Sequence, residues 1–94
     1  MQVERFLKTE NVWYLKTWGN GIQRSGIPDL LLCCNGFFIG VELKTEDGKA
    51  SALQLHELQK IKESGGIAMI LKPSGFTAFK EFIRQSKKDA VFTQ

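Results

Sequence analysis

Residues 29–44 read DLLLCCNGFFIGVELK, two apolar runs joined by an Asn-Gly dipeptide. Asn35 and Gly36 both tolerate the positive φ of a two-residue type I′ turn, so the stretch predicts a β-hairpin with strands over 29–34 and 37–44. Counting outward from that turn sets Cys34 against Phe37 and, at the far end, Asp29 against Glu42. Opposed residues on one sheet face hold their Cβ atoms about 5 Å apart, and two like charges so placed destabilise a sheet unless something neutralises them. A divalent cation would. Because strand side chains alternate, Lys44 falls on the face of Glu42, while Val41 and Leu43 point the other way into a core. The three ionisable groups are therefore expected on one polar face of the sheet.

Upstream of the hairpin, residues 2–10 place Val3, Phe6 and Leu7 at helical spacing, which predicts a short amphipathic helix ended by Asn11. Residues 12–18 are rich in β-branched and aromatic side chains and predict a strand, followed by a turn at Gly19 to Gly21. Downstream, 45–50 is a polar loop. Ser51 opens a helix with Leu55, Leu58 and Ile61 on one face, and Gly65 and Gly66 stop it. The continuous apolar run 67–71 predicts a strand buried on both faces, broken by Pro73-Ser74-Gly75. A last helix carries Phe76, Phe79, Phe82 and Ile83 as its apolar stripe. The predicted order is αβββαβα, an α/β fold, with residues 1–94 as one domain and no repeat or linker.

The 94 residues, 43% hydrophobic and 24% charged, suit one soluble core without disulfides or a structural metal. No apolar run approaches the roughly 18 residues of a membrane span, and MQVERFLKTE lacks the apolar stretch of a signal peptide, so a cytoplasmic location is expected. Cys33 and Cys34 are adjacent and cannot form a framework disulfide or a zinc site. With His56 as the one histidine, a zinc centre or a Ser-His triad is disfavoured. The net charge of +3 is spread along the chain and by itself favours a polyanionic partner only weakly.

Two carboxylates and a lysine converging on one sheet face suit phosphodiester hydrolysis, in which carboxylate oxygens hold a hard cation that polarises the phosphate and lowers the pKa of a bound water. Lys44 then orients or deprotonates the water, or stabilises charge developing on the phosphate. Each residue also has a plainer reading: a Glu-x-Lys pair arises readily by chance on a solvated strand, and an Asp after Pro28 often starts a turn. The conjunction favours function, because Gly26-Ile27-Pro28 fixes the chain just before Asp29 and the hairpin brings Glu42 and Lys44 to it.

Taken together, Ser25-Gly26-Ile27-Pro28-Asp29-Leu30, Glu42-Leu43-Lys44, Gly48-Lys49-Ala50-Ser51 with Gln54, and Gly66 before the strand 67–71 resemble the virus-type replication-repair nuclease (VRR-NUC) domain of the PD-(D/E)XK superfamily, over roughly residues 4–72. The resemblance implies a restriction-endonuclease-like core, a mixed four-stranded sheet flanked by helices, and Mg²⁺- or Mn²⁺-dependent endonuclease activity with Holliday-junction-type resolution. It implies Asp29, Glu42 and the Leu43 carbonyl as metal ligands, Lys44 as the catalytic lysine, Glu4 on the first helix as a further ligand, and Gln54 in support. Gln54 also completes a Ser-x-x-Gln capping box, which explains it without any catalytic part. Arg24 and Ser25 are candidate phosphate contacts.

The expectation is thus a stand-alone nuclease domain of the sort that viral or mobile elements encode in a bacterial host, acting on branched DNA as a homodimer, since one centre per chain must be doubled to cut two strands in concert. Two other classes compete: a catalytically silent DNA-binding module, and a small α/β protein-interaction domain in which the hairpin carboxylates are wet surface.

Overall fold

A computed structural model describes residues 1–18 and 25–88. The turn expected at Gly19 to Gly21, like Arg24, lies outside the described residues. Along the chain run α1 (Gln2–Thr9), β1 (Trp13–Lys16), β2 (Leu30–Cys34), β3 (Phe37–Leu43), α2 (Ala52–Glu63), β4 (Ile67–Leu71), a 3₁₀ turn (Pro73–Gly75) and α3 (Phe76–Lys88). The expected αβββαβα order holds.

Asn35 and Gly36 adopt φ of 55° and 83°, the positive pair that a type I′ turn requires. The β2–β3 ladder then follows the predicted register from Cys34↔Phe37 to Leu30↔Val41. The four strands lie in the order β1-β2-β3-β4, antiparallel through β3, with β4 parallel to β3. That last pairing needs a crossover, and α2 is the crossover element.

Alternation divides the sheet into two faces. Leu30, Leu32 and Cys34 of β2 join Ile39 and Val41 of β3 on the face covered by Phe6 and Leu7 of α1 and by Phe79 and Ile83 of α3. Phe6 packs edge-on against Phe76 and Phe79, each with centroids 6.1 Å apart. Glu10 fastens α1 to α3: Arg84 Nε donates to its Oε2 at 3.1 Å, and Lys87 donates to its carbonyl. Helix α2 takes the opposite face, and Gly40 is what lets it approach. A Cβ there would stand 2.7 Å from Ile61 Cδ1 and 3.1 Å from Pro28 Cγ. Ser51 and Gln54 cap α2 reciprocally, the Gln54 amide donating to Ser51 Oγ at 3.1 Å and the Ser51 amide to Gln54 Oε1 at 2.8 Å.

Two expectations need correction. Strand β4 closes one edge of the sheet rather than lying inside it, and Ile70 is 39% exposed, so the run is not buried on both faces. On α2, Leu55 is 51% exposed, and the covered side carries Glu57 and Leu58. The helix packs on β4 and the later part of β3, and among the described residues Trp13 and Leu15 of β1, Cys33 of β2 and Phe38 near the start of β3 are exposed on the same face. Among the described residues, no helix is long and apolar enough to cross a membrane.

Candidate metal and active site

The site forms where the β2–β3 ladder ends. Beyond Leu30↔Val41, the backbone of Asp29 bends out of the strand, and its carboxylate turns to the neighbouring strand β3: the Leu43 amide donates to Asp29 Oδ2 at 2.9 Å. Asp29 and Glu42 thus meet at the end of the hairpin, as counting from the turn implies, but not as a flat cross-strand pair. Lys44 completes the group, with its Nζ 3.4 Å from Glu42 Oε2.

The polar face expected for these three is not wet. Glu42 is 1% exposed, because α2 and Pro28 close over this part of the sheet. Among the described residues, its Oε1 has no hydrogen-bond partner. Burial pushes the Glu42 carboxyl above its ordinary value, and repulsion from Asp29 pushes the same way. The hydrogen bond and charge of Lys44, together with the Asp29 backbone, oppose both.

Asp29 owes its position to three devices upstream. Thr17, just past β1 and 6% exposed, donates from its amide to the Asp29 carbonyl at 2.9 Å and from Oγ1 to the Pro28 carbonyl at 2.8 Å. Pro28 is fully buried. Gly26 holds φ of +83° and presses on the first turn of α2, where a Cβ would stand 2.7 Å from Leu53 Cγ and 3.0 Å from the Leu53 carbonyl. The Gly-Ile-Pro-Asp segment is therefore clamped between β1 and α2.

The remaining expected site residues divide. Leu43 donates to Asp29 and directs its side chain to the core, as expected. Gln54 spends its carbonyl oxygen on the cap of α2. Glu4 on α1 accepts from the Tyr14 hydroxyl at 3.1 Å, and Tyr14 packs on the α1–α3 core, across the sheet from Glu42. Among the described residues, no group of three or more His, Cys, Asp or Glu side chains is arranged to hold a metal, so Glu4 does not join Asp29 and Glu42 as a third carboxylate. Ser25 is exposed. His56 is an exposed residue of α2.

Thr17 and Gly40 were invisible to sequence reasoning as contributors. A threonine near the end of a strand carries no local mark of the carbonyls it will meet, and Gly40 reads as an ordinary interruption of an apolar run until α2 is laid over it.

Comparison with protein-family models, with curated proteins and with solved structures finds no match for this chain.

Proposed function

We propose that the chain is a metal-dependent endonuclease with a restriction-endonuclease-like core of the VRR-NUC type, hydrolysing DNA phosphodiester bonds at Asp29, Glu42 and Lys44. One observation carries the reading. Glu42 is sealed from water beside a second carboxylate, with one oxygen near Lys44 and the other unpartnered. Folding alone gains little from such a group, since an apolar residue of similar volume would serve at least as well. A perturbed carboxylate in this setting is the mark of a functional centre.

The donor set fits a hard cation: the orphaned Glu42 Oε1, the Asp29 carboxylate oxygen not bonded to Leu43, and the Leu43 carbonyl are all oxygen ligands of the kind Mg²⁺ and Mn²⁺ take. When bound, such an ion neutralises the like-charge pair, polarises the phosphate and lowers the pKa of water. The protein's own residues do the rest. Asp29, held by Thr17 and by the Leu43 amide, keeps its carboxylate fixed against the end of β3. Lys44 supplies a positive charge toward the phosphate oxygen on which negative charge develops. Gln54 supports this centre by fixing the N-terminus of α2 against Gly26. Glu4, engaged by Tyr14, stays outside it.

The open sheet face bearing Trp13, Leu15, Cys33 and Phe38 supports the homodimer reading. Its exposed large side chains are apolar, and it includes the edge strand β1. Two copies related by a two-fold axis would each offer this surface and so present two centres to a four-way junction. Incubating the protein with junction, flap and linear DNA in Mg²⁺, Mn²⁺ or EDTA tests the function, and light scattering tests the dimer. Metal-dependent strand scission and twice the chain mass are expected. No scission in any metal would remove the nuclease reading, and a single-chain mass at micromolar concentration would remove the dimer.

A further inference from the structure

Away from the carboxylates, two grooves meet. The first, of about 240 Å³, opens at the C-terminal ends of β3 and β4 against the start of α1 and α3, and it carries Lys44 and Lys72. The second, of about 320 Å³, runs between α1 and α3 and carries Arg5, Lys80 and Arg84. They adjoin, with Gln2 and Phe76 lining both. Among the described residues, five basic side chains and no carboxylate line the two grooves, although the chain has 10 acidic residues against 13 Lys and Arg.

Two of the three cations of the second groove, Lys80 and Arg84, are held in position before anything binds. Lys80 Nζ lies over the Phe76 ring at 4.8 Å from its centroid, and the Arg84 guanidinium over the Phe6 ring at 5.2 Å. Lys80 and Arg84 stand one helical turn apart on α3, with Cβ atoms about 5–6 Å from each other, so they form a row along the groove wall. Arg84 is further braced by Glu10, while Arg5 and Lys80 make no ion pair among the described residues. Rings that carry cations upright over a groove reduce the ordering cost of meeting a ligand. Lys44 belongs to both places: it lines the first groove, and its Nζ touches Glu42.

We propose that this α1–α3 groove holds the phosphodiester backbone of the DNA strand that reaches the Asp29–Glu42–Lys44 centre, with Arg5, Lys80 and Arg84 contacting phosphates on one side of the cleaved bond and the strand passing Lys72 and Lys44 of the first groove at the C-terminal ends of β3 and β4. The identity of the strand rests on the nuclease reading; the existence of the track rests on its charge and on the adjacency of the two grooves. Such contacts position DNA without reading its sequence.

The test is binding, measured apart from cleavage. Fluorescence anisotropy with labelled duplex DNA in EDTA, over 50–200 mM salt, compares wild type with the double variant Arg5→Gln/Lys80→Gln and with Lys60→Gln/Lys62→Gln, which removes equal charge from α2 on the other face of the sheet. Each phosphate contact contributes about 0.9 to the slope of log affinity on log salt, so the groove variant should lose about 1.8 from that slope. Its fall in affinity across this range should then be roughly tenfold smaller than that of wild type. The α2 variant should keep the wild-type slope. Thermal melts confirm that both doubles remain folded. Equal effects in the two doubles, a wild-type slope in the groove variant, or no DNA binding by wild type would each overturn the proposal. Absence of metal-dependent cleavage in the same preparations would instead remove the nuclease reading and leave the track standing.

Discussion

Glu42→Gln should make the protein more stable without metal and less stable with it. The buried Glu42 has an oxygen without a partner, a deficit of about 1–3 kcal/mol for a group of this kind. The neutral amide keeps the volume and still leaves one polar atom unpartnered, but it removes the buried charge and the repulsion from Asp29, the part of the deficit that a neutral group does not carry. It also gives up the pairing with Lys44, whose side chain is 21% exposed, so that loss is about 1 kcal/mol. The net gain in EDTA is about 1 kcal/mol, which for a domain of this size raises Tm by roughly 4–8 °C. The gain depends on pH in a fixed sense. Burial raises the folded carboxyl above its unfolded value, so the wild-type penalty is absent below the ordinary carboxylate range and grows as pH rises through the folded value. The two proteins should therefore converge in acid. Metal at 100 times its Kd adds about 2.7 kcal/mol to wild type and should add little to the variant. Thermal denaturation in EDTA and then in Mn²⁺ should accordingly show the order of the two melting temperatures reverse. A variant that melts below wild type in EDTA, or a wild type whose Tm ignores Mn²⁺, would refute this reasoning.

Three further perturbations probe the frame around the site. Thr17→Val leaves the Pro28 carbonyl without its hydroxyl donor, which should cost about 1–2 kcal/mol and slow cleavage through a loosened Asp29, with Thr17→Ser restoring both; urea denaturation and single-turnover cleavage check it. Gly26→Ala puts a Cβ into the Leu53 backbone at positive φ, so it should cost at least about 1–2 kcal/mol and reduce cleavage, although Gly26 touches no substrate; unchanged melting and rates would show that the clamp is dispensable. Glu10→Gln tests the α1–α3 fastening. The hydrogen bond from Arg84, and secondarily Lys87, holds the Glu10 carboxyl below its ordinary value against a smaller effect of burial, so its contribution is present above the unfolded carboxylate pKa and lost as pH falls through the lower folded one. Wild type should melt above the variant at neutral pH and match it in strong acid.

Local chemistry decided what the sequence could reveal. The Asn35-Gly36 turn sets the hairpin register, and that register alone brings Asp29, Glu42 and Lys44 to one end of the hairpin. The Ser51–Gln54 capping box fixed the start of α2 in the same way. What the sequence hid was non-local. The burial of Glu42 depends on α2 crossing over Gly40, and the edge position of β4 depends on where that crossover returns. Thr17 acts through carbonyls eleven and twelve residues away. Pairing of β1 with β2 brings it there, and no pattern within β1 announces it.

The most direct measurement of the central claim is single-turnover cleavage of a labelled four-way junction in saturating Mn²⁺ by wild type, Asp29→Asn, Glu42→Gln and Lys44→Met. The account predicts metal-dependent scission by wild type, a fall of about 10²–10⁴-fold for Lys44→Met, the range for losing a positioned proton-transfer or charge-stabilising group, and at least as large a fall for each carboxylate variant. Cleavage near the wild-type rate by any of the three variants, with the protein folded, would contradict it.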